Sequence, residues 1–262
     1  MKYRHNLQYD YPDNVHGHMI APKQVRKDNL DKNYPYYRHD FIYNVARVFT
    51  EIFFIIVGIP FVFFKFGLRV KNKHNRKALK KMLRKKQGLI TICNHIFDED
   101  YIAIRTAMAP TMGYVSLWKD NHLRRMGRFI RLGGSIPVPR DDSSATLSMM
   151  RGVEKCLKDG HWLHIYPEAS MFYYYQEVRP FVDGAFVFAI RNNTPIVPMA
   201  FSYRPAKGLY KLWKKDKPLI NLSFGEPIYP DPKLGLNNRI EDLKNGCHAA
   251  VSKLMEEGTP EV

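Results

Sequence analysis

Apolar and amphipathic stretches alternate along the chain from Gly88 to the C-terminus, and this alternation predicts the fold. Strand-like apolar runs cover Gly88–Asn94, Gly113–Trp118, Ser135–Arg140, His161–Tyr166, Ile196–Tyr203 and Leu219–Phe224. Helix-like stretches cover Asp98–Met108, Asp120–Leu132, Ser143–Asp159, Asp183–Asn192 and Arg239–Glu257. This order predicts an α/β domain whose sheet is mostly parallel and flanked by helices. In such a sheet, functional side chains lie in the loops at the carboxyl ends of the strands.

A different pattern precedes this domain. The segment Phe41–Phe66 contains an uninterrupted apolar run from Ile52 to Phe64, with Pro60 inside it. The run is shorter than the roughly 20 apolar residues that a full span requires. We therefore predict a bent helix or helix pair that enters one leaflet of a membrane, with a complete span or a buried core helix as the alternatives.

The patterns divide the chain into three parts. Residues 1–40 form a polar extension that prolines interrupt, and we expect it to be partly disordered or to wrap along the main domain. Residues 41–70 form the membrane-associated helical segment. Residues 71–262 form the α/β domain.

The charge of the chain changes the choice of partner. Its 41 Lys and Arg residues against 25 Asp and Glu give a formal charge of +16. A block from Lys65 to Lys86 contains no acidic residue, and beside an apolar segment it predicts attraction to an anionic membrane surface, at about 1 kcal/mol per basic residue. A nucleic-acid arm would be expected to carry stacking aromatic residues, which this block lacks after Arg69, so no nucleic-acid partner is expected. The three cysteines show no metal-ligand spacing and indicate a reducing compartment, so we expect the protein on the cytoplasmic face of the cell membrane.

The candidate chemistry is concentrated where the first apolar strand ends, from Asn94 to Asp100. On one continuous helix, His95 and Asp100 would point about 140° apart. They can meet only if His95 lies in the turn after the strand and Asp100 lies in the first turn of the next helix. In that geometry the carboxylate holds one imidazole nitrogen and leaves the other as a general base.

Two other interpretations of this stretch stay open. One is a capped loop or surface pair without catalytic function. The other is a metal site built from His95, Asp98 and Asp100, since imidazole and carboxylates bind divalent ions. No second cluster of histidines or cysteines at ligand spacing supports that site, so we expect no metal.

Three later strand ends add candidate residues. Arg140 ends its strand where a guanidinium could clamp a phosphate with paired hydrogen bonds, although it could instead pair with Asp141 or Asp142. Glu168 follows the next strand and could hold substrate hydroxyls or cap a helix. The apolar stretch Thr194–Phe201 is either core or one wall of an acyl groove.

Taken in order, these stretches resemble four sequence blocks of the glycerolipid acyltransferases, the family of 1-acylglycerol-3-phosphate acyltransferases. Asn94, His95 and Asp100 match the first block, in which Asn-His is followed by four residues and Asp. Gly134 to Arg140 match Gly-x-Ile-x-Val-x-Arg, Pro167-Glu168 match the start of the third block, and Pro195 to Pro198 match the fourth. The resemblance covers about residues 85–230. It implies a glycerol-3-phosphate acyltransferase-like fold, with residues 71–262 as the acyltransferase domain.

The resemblance also implies an activity in phospholipid biosynthesis. A fatty acyl group would pass from acyl-CoA or acyl carrier protein to the free hydroxyl of a lysolipid acceptor, with 1-acyl-sn-glycerol-3-phosphate as the leading candidate. His95 would be the base and Asp100 its orienting partner. A thioester is already activated, so no cofactor is expected. The residues expected to bind substrate are Asn94, Arg140, Glu168, Ser170 and Arg179.

One departure from the family pattern concerns the acceptor. The third block usually reads Glu-Gly-Thr-Arg, whereas this chain has Met171 at the position of the arginine. Arg140 or Arg179 could replace it as a phosphate ligand, although Arg179 could instead be a surface residue paired with Glu177. The alternatives are another lysophospholipid or lipid alcohol as acceptor, a hydrolase or transacylase using the same histidine, and a non-catalytic basic membrane adaptor.

Overall fold

The structure is a computed structural model that describes residues 1–19, 30–125, 127–139, 142–214 and 217–262. Within these ranges seven strands form one mixed sheet in the order β1-β7-β6-β2-β5-β3-β4. The strands are β1 (Arg69–Val70), β2 (Leu89–Ile92), β3 (Gly113–Trp118), β4 (Ser135–Val138), β5 (Trp162–Ile165), β6 (Ile196–Arg204) and β7 (Leu219–Phe224). All neighbouring strands are parallel except β6 and β7, which are antiparallel. The predicted α/β class with a mostly parallel sheet is confirmed.

Helices pack against the strands of the sheet. They are α1 (Phe41–Phe53), α2 (Ile59–Phe66), α3 (Lys73–Arg84), α4 (Asp100–Met108), α5 (Lys119–His122), α6 (Gly127–Leu132), α7 (Ser143–Lys158), α8 (Gly184–Arg191), α9 (Leu209–Lys214) and α10 (Leu236–Gly258). Helix α10 packs on β6 and β7, whereas α7 packs on β4 and β5. Every residue of β2, β6 and β7 is buried, including the polar side chains of Thr91, Ser202 and Asn221, so these strands are covered on both faces.

The structure corrects the predicted helix over Asp120–Leu132, which is divided into α5 and α6. The reason is a close approach of the backbone: a Cβ atom at Gly127 would lie 1.8 Å from the carbonyl oxygen of His122. Such packing needs a turn at this point. The apolar pattern does not predict β1 or α9, since two and six residues are too few to show a period.

Helices α1 and α2 are joined by a π-helical turn, Phe54–Gly58, into one helical segment from Phe41 to Phe66. Pro60 lies just after this turn. Because proline lacks an amide hydrogen and its ring displaces a carbonyl of the preceding turn, a wider turn accommodates it. The segment ends at Gly67, whose left-handed φ of 59° allows its N–H to cap carbonyls of the last turn.

Helix α1 is attached to the α/β domain by its polar face. Arg47 is 1% exposed, and its guanidinium donates to the carbonyl oxygen of Gly113 at 2.9 Å. Glu51 accepts from both Arg47 and Arg105 of α4. The opposite face is apolar and exposed, and the most exposed apolar residues of α1 are Phe41, Ile42 and Phe49. Buried charge therefore fixes which side of the helix faces outward.

The N-terminal residues 1–19 lie along the domain and contact the loop that follows β5. A ring nitrogen of His5 lies 2.9 Å from the carbonyl oxygen of Tyr174, and the hydroxyl of Tyr11 donates to the carbonyl of Tyr173 at 2.8 Å. The ring of Tyr9 stacks on both Tyr173 and Tyr174. These contacts hold the extension against one side of the site described next.

Candidate active site

The turn after β2 is held in place by Asn94. Its side-chain amide donates to the carbonyl of Phe201 and accepts from the N–H of the same residue, at 3.2 and 2.8 Å. Phe201 lies in β6, the neighbour of β2. Asn94 is 1% exposed, so in this structure it anchors the turn that carries His95. Its predicted contact with substrate stays a prediction.

His95 and Asp100 meet as the spacing requires. Nδ1 of His95 lies 2.7 Å from Oδ2 of Asp100, the first residue of α4. The same carboxylate oxygen accepts from the backbone N–H of Ile96 at 3.1 Å. Asp100 is buried, whereas the side chain of His95 is 19% exposed. Since Nδ1 donates to the carboxylate, Nε2 is the nitrogen that can accept a proton from a substrate.

Tyr166 supports both members of this pair. Its hydroxyl donates to Oδ1 of Asp100 at 2.5 Å, and its ring stacks on the imidazole of His95 with centroids 4.0 Å apart. Tyr166 follows β5, and β5 is the parallel neighbour of β2, so the two carboxyl ends lie side by side. The sequence places Tyr166 at a strand end but gives no signal that its hydroxyl reaches Asp100.

A second histidine lies behind the pair. His164 is fully buried, and its ring lies nearly perpendicular to the Tyr166 ring with centroids 4.4 Å apart. Its Nδ1 is hydrogen-bonded to the hydroxyl of Thr91 at 2.9 Å. Burial, together with the nearby His95, lowers the pKa of His164 to about 3. The imidazole of His164 is therefore neutral at physiological pH, and it adds no positive charge beside His95.

Glu168 and Arg179 form a buried ion pair next to His95. Nη2 of Arg179 lies 2.8 Å from Oε2 of Glu168, and both residues are almost fully buried. The carboxylate of Glu168 also accepts from the backbone N–H groups of His95 and Arg179, at 3.1 and 3.0 Å. Glu168 therefore holds the backbone of His95 in place.

Ser170 belongs to the same cluster. Its hydroxyl accepts from Nη1 of Arg179 at 2.8 Å, and its carbonyl accepts from Nη2. The guanidinium also lies 3.9 Å from the centre of the Phe172 ring and donates to the carbonyl of Val15 at 2.6 Å. Burial raises the pKa of Glu168, which the positive charge of Arg179 partly offsets, and burial lowers the pKa of Arg179.

These contacts decide where the predicted substrate-binding residues lie. Glu168, Ser170 and Arg179 are brought together, but their polar atoms contact one another and the backbone. Arg179 pairs with Glu168, and not with Glu177, which lies 3.7 Å from Arg4. The alternative of a surface pair between Arg179 and Glu177 is wrong. Binding of substrate by these three residues stays a prediction.

Arg140 lies outside the residues that the structure describes, as does Asp141. Asp98, the third member of the metal alternative, is exposed and accepts a hydrogen bond from the hydroxyl of Tyr173 at 2.6 Å. Among the described residues, His, Cys, Asp and Glu side chains form no group of three that could hold a metal ion.

Sequence reasoning missed the contribution of the N-terminal extension. Val15 reaches the Arg179 guanidinium, and Nδ1 of His16 lies 3.1 Å from the carbonyl oxygen of Glu168. Residues separated by more than 150 positions thus meet at one loop. No local pattern could have indicated this contact, because the extension has neither a helical nor a strand period.

A family model for acyltransferases matches residues 68–202, which is just over half of the 262-residue chain. The chain belongs to the acyltransferase family. This assignment confirms the family and the enzyme class that the four sequence blocks indicated. The matched range contains His95, Asp100, Tyr166, Glu168 and Arg179, so the cluster described above lies inside the acyltransferase domain.

Eight chains among solved structures also match the acyltransferase. One is the 1-acyl-sn-glycerophosphate (LPA) acyltransferase PlsC from Thermotoga maritima, with 16% sequence identity and a TM-score of 0.45. The match covers 81% of this chain and 97% of PlsC. No curated protein sequence matches the chain.

One departure of this acyltransferase from the block Glu-Gly-Thr-Arg lies at a strained backbone position. Ala169, which takes the place of the glycine, has a left-handed φ of 61°. Glycine adopts this conformation without a steric penalty, whereas alanine does not. The carbonyl of Ala169 accepts from the indole N–H of Trp118 at 2.9 Å, which ties the strained turn to the end of β3.

The N-terminal helical segment supports association with a membrane. Among the described residues, Phe41–Phe66 is the one helix that is long and apolar enough to cross a bilayer, judged by length and composition. Most of this helix lies outside the protein core, since only 28% of its most apolar 18-residue stretch is buried. Such an apolar helix in a lipid acyltransferase indicates membrane association.

Proposed function

We propose that this enzyme transfers a fatty acyl group from acyl-CoA or acyl carrier protein to the free hydroxyl of a lysolipid, with 1-acyl-sn-glycerol-3-phosphate as the acceptor. Membership of the acyltransferase family supports the reaction class. The 2.7 Å contact between Nδ1 of His95 and Oδ2 of Asp100 is the observation that carries the mechanism.

In the proposed reaction, Nε2 of His95 takes the proton of the acceptor hydroxyl while its oxygen attacks the thioester carbonyl. The negative carboxylate of Asp100 stabilises the imidazolium that forms. The tetrahedral intermediate then expels the thiolate, which takes the proton back from His95. A new ester bond replaces the thioester bond, and no protein atom becomes covalently attached.

The surroundings of the pair suit this role. Asp100 receives hydrogen bonds on both carboxylate oxygens, from Ile96 and Tyr166, and these contacts fix the face that it presents to His95. The backbone of His95 is fixed in turn by Glu168. A base held this firmly loses little orientational freedom when the substrate arrives.

We also propose that the enzyme binds one leaflet at the cytoplasmic face and does not cross the membrane. Arg47 and Glu51 of α1 are buried against Arg105 and Gly113 of the α/β domain. If this helix crossed the bilayer, Arg47 and Glu51 would be separated from their partners in the domain. Unpaired charges are strongly unfavourable in hydrocarbon. The opposite apolar face can enter the leaflet while α1 stays attached to the domain.

The test is an acyl-transfer assay of the purified enzyme over a panel of lysolipids, with the products identified by mass spectrometry. His95→Ala should lower kcat by roughly 100- to 10,000-fold, the range that general base catalysis contributes. Asp100→Asn should also lose most activity, because a neutral amide stabilises an imidazolium poorly. His39→Ala is the matched control, since His39 is exposed and distant in sequence from the site.

The outcomes separate the alternatives. Release of CoA without a lysolipid would indicate a hydrolase, and an ester product from a different acceptor would change the substrate. Full activity of a folded His95→Ala enzyme would refute the mechanism. Binding to anionic vesicles without turnover of any thioester would support the membrane-adaptor alternative.

A further inference from the structure

Helix α9, between β6 and β7, exposes apolar side chains to solvent. Leu209 is 69% exposed, Leu212 is 76% exposed and Trp213 is 50% exposed. Three large apolar residues within five positions are unusual on a free surface. Lys207 and Lys211, which are also exposed, place positive charge beside them.

Helix α9 is attached to the C-terminal end of α2 by side-chain hydrogen bonds. The hydroxyl of Tyr210 donates to the carbonyl of Phe63 at 2.6 Å, and the indole N–H of Trp213 donates to the carbonyl of Phe64 at 3.4 Å. The carbonyl of Phe63 also accepts from the N–H of Gly67 at 2.8 Å, whereas the carbonyl of Phe64 lies in the last turn, where carbonyls lack partners within the helix. In a lipid environment an unsatisfied carbonyl is costly, so the donor from Trp213 helps this end of α2 to lie at membrane depth.

An open, shallow apolar groove of about 740 Å³ lies between the two helices. It is lined by Val57, Pro60, Phe61, Phe64, Lys65 and Trp213. The side chains of Phe63 and Phe64 are exposed, and so are those of Ile56, Val57 and Ile59, which lie nearer to α1. The apolar face of α9 is therefore continuous with the outward face of the N-terminal helical segment.

The sheet topology places this surface at the same edge as the candidate active site. Helix α9 follows the carboxyl end of β6, and His95 follows the carboxyl end of the parallel neighbour β2. Strand β1, which begins just after α2, is parallel to β7 and therefore runs opposite to β6. The end of α2, helix α9 and His95 thus share one edge of the sheet.

We propose that α9 is a second lipid-contacting element, which inserts beside α2 and sets the edge of the sheet with His95 against the bilayer. This inference rests on the proposed membrane association and adds its orientation. The occupant is the interfacial region of an anionic phospholipid bilayer: acyl chains contact Leu209, Leu212 and the groove, the indole of Trp213 lies at the headgroup level, and Lys207 and Lys211 contact anionic headgroups. A lysolipid could then reach His95 without leaving the membrane.

The first test measures quenching of tryptophan fluorescence by vesicles of brominated phosphatidylcholine with phosphatidylglycerol. The chain has three tryptophans, of which Trp162 is fully buried and Trp118 is half-buried. We expect the vesicles to quench the tryptophan fluorescence of the wild-type enzyme. The fluorescence of Trp213→Phe should not be quenched. Equal quenching of the two proteins would overturn the proposal.

The second test compares vesicle partitioning of Leu212→Asp and Leu236→Asp. Leu212 takes part in neither hydrogen bond to α2, so this variant leaves those bonds in place. It should weaken partitioning on the order of ten-fold, as expected for one apolar side chain withheld from lipid. Leu236 is 62% exposed and lies at the start of α10. Helix α10 follows the carboxyl end of β7, which is at the opposite edge of the sheet because β7 is antiparallel to β6. Leu236→Asp should therefore partition as the wild-type enzyme does. Equal partitioning of both variants would overturn the proposal.

Acyl transfer to a short-chain, water-soluble acceptor separates this inference from the proposed function. Leu212→Asp should keep full activity in that assay, because it alters membrane contact alone. If partitioning fell in Leu212→Asp but the wild-type enzyme transferred no acyl group, the lipid-contacting role of α9 would be supported and the proposed reaction would be refuted. Normal transfer with unchanged partitioning would refute the surface and leave the reaction intact.

Discussion

The hydroxyl of Tyr166 donates a hydrogen bond to Oδ1 of Asp100 at 2.5 Å, while Oδ2 of the same carboxylate holds His95. One carboxylate thus connects a tyrosine from the loop after β5 to a histidine from the turn after β2. Burial, followed by the nearby charge of Asp100, raises the pKa of Tyr166. The phenol therefore stays protonated and acts as a donor throughout the working pH range.

Tyr166→Phe should lower kcat by roughly ten-fold, because the carboxylate of Asp100 then loses one of the hydrogen bonds that hold it in position for His95. The phenyl ring can still stack on His95, so the change is confined to the hydroxyl. With one donor fewer, the carboxylate keeps more negative charge for the imidazolium. We therefore expect the acid limb of the pH–rate profile to move to higher pH.

Tyr37→Phe is the matched control for this prediction. The hydroxyl of Tyr37 donates to Oδ2 of Asp159 at 2.7 Å, outside the site. Its loss should lower the melting temperature without moving the pH–rate profile. If the profile of Tyr166→Phe also stayed in place, Tyr166 would be a structural residue alone.

Arg179→Ala should destabilise the fold by about 3–5 kcal/mol, because it leaves the carboxylate of Glu168 buried without its partner. Chemical denaturation monitored by circular dichroism measures this loss. Adding Glu168→Gln to the same chain should recover part of it, since the unpaired charge is then removed. A double variant less stable than the sum of both single changes would contradict the coupling.

Acceptor recognition should depend on Arg140, because the guanidinium of Arg179 is occupied by Glu168, Ser170 and Val15. Arg140→Ala should raise the KM for 1-acyl-sn-glycerol-3-phosphate by roughly ten-fold or more, the worth of a charge-assisted contact with phosphate. The KM for the thioester should change less. Steady-state kinetics with both substrates varied will distinguish the two.

Met171→Arg tests the same question from the opposite direction. This change restores the arginine of the usual family block, so it should increase the preference for a phosphate-bearing acceptor over a neutral one. The ratio of kcat/KM for two such lysolipids is the measurement. A ratio below that of the wild-type enzyme would show that this position does not face the acceptor headgroup.

Ala169→Gly should stabilise the enzyme by about 1 kcal/mol, because Ala169 has a φ of 61° that glycine adopts without strain. Activity should be retained, since the side chain removed is one methyl group. Thermal unfolding of the two proteins checks the sign. Gly184→Ala is a useful comparison: no atom lies within 4 Å of its added Cβ, and this change should stabilise the enzyme by about 0.4–1 kcal/mol through the unfolded state.

Acid should destabilise the fold through His164, whose pKa is lowered from 6.5 to about 3. Between these values the unfolded chain binds a proton that the folded protein does not, so the free energy of unfolding falls as pH decreases. Above pH 6.5 this effect is absent. Its slope reaches about 1.4 kcal/mol per pH unit for one histidine.

His164→Gln should therefore flatten the dependence of the denaturation midpoint on pH between roughly 6 and 4. His74→Gln, which changes an exposed histidine on α3, should leave this dependence as it is in the wild-type enzyme. Identical slopes for the wild-type and His164→Gln proteins would mean that His164 is protonated in the folded state. The buried position behind Tyr166 would then need another explanation.

The sequence by itself determined the class of fold, because hydrophobic burial imposes the periods of strands and helices on any chain. It also located His95 and Asp100: the five-residue spacing allows contact only across a strand-to-helix turn, and the two atoms lie 2.7 Å apart. The family followed from four short blocks whose order and spacing are specific. Local patterns were sufficient for these conclusions because each depends on residues close together in the chain.

Tertiary structure alone decided which partners surround that pair. Glu168 and Arg179 are found in a buried ion pair, and neither residue type nor spacing distinguishes such a pair from a substrate-binding one. Tyr166 meets Asp100 because β5 lies beside β2, and Val15 meets Arg179 because the N-terminal extension folds back over 160 positions. Side-chain reach is only a few ångströms, so contacts between distant segments depend on strand order and chain path, which the local sequence does not encode.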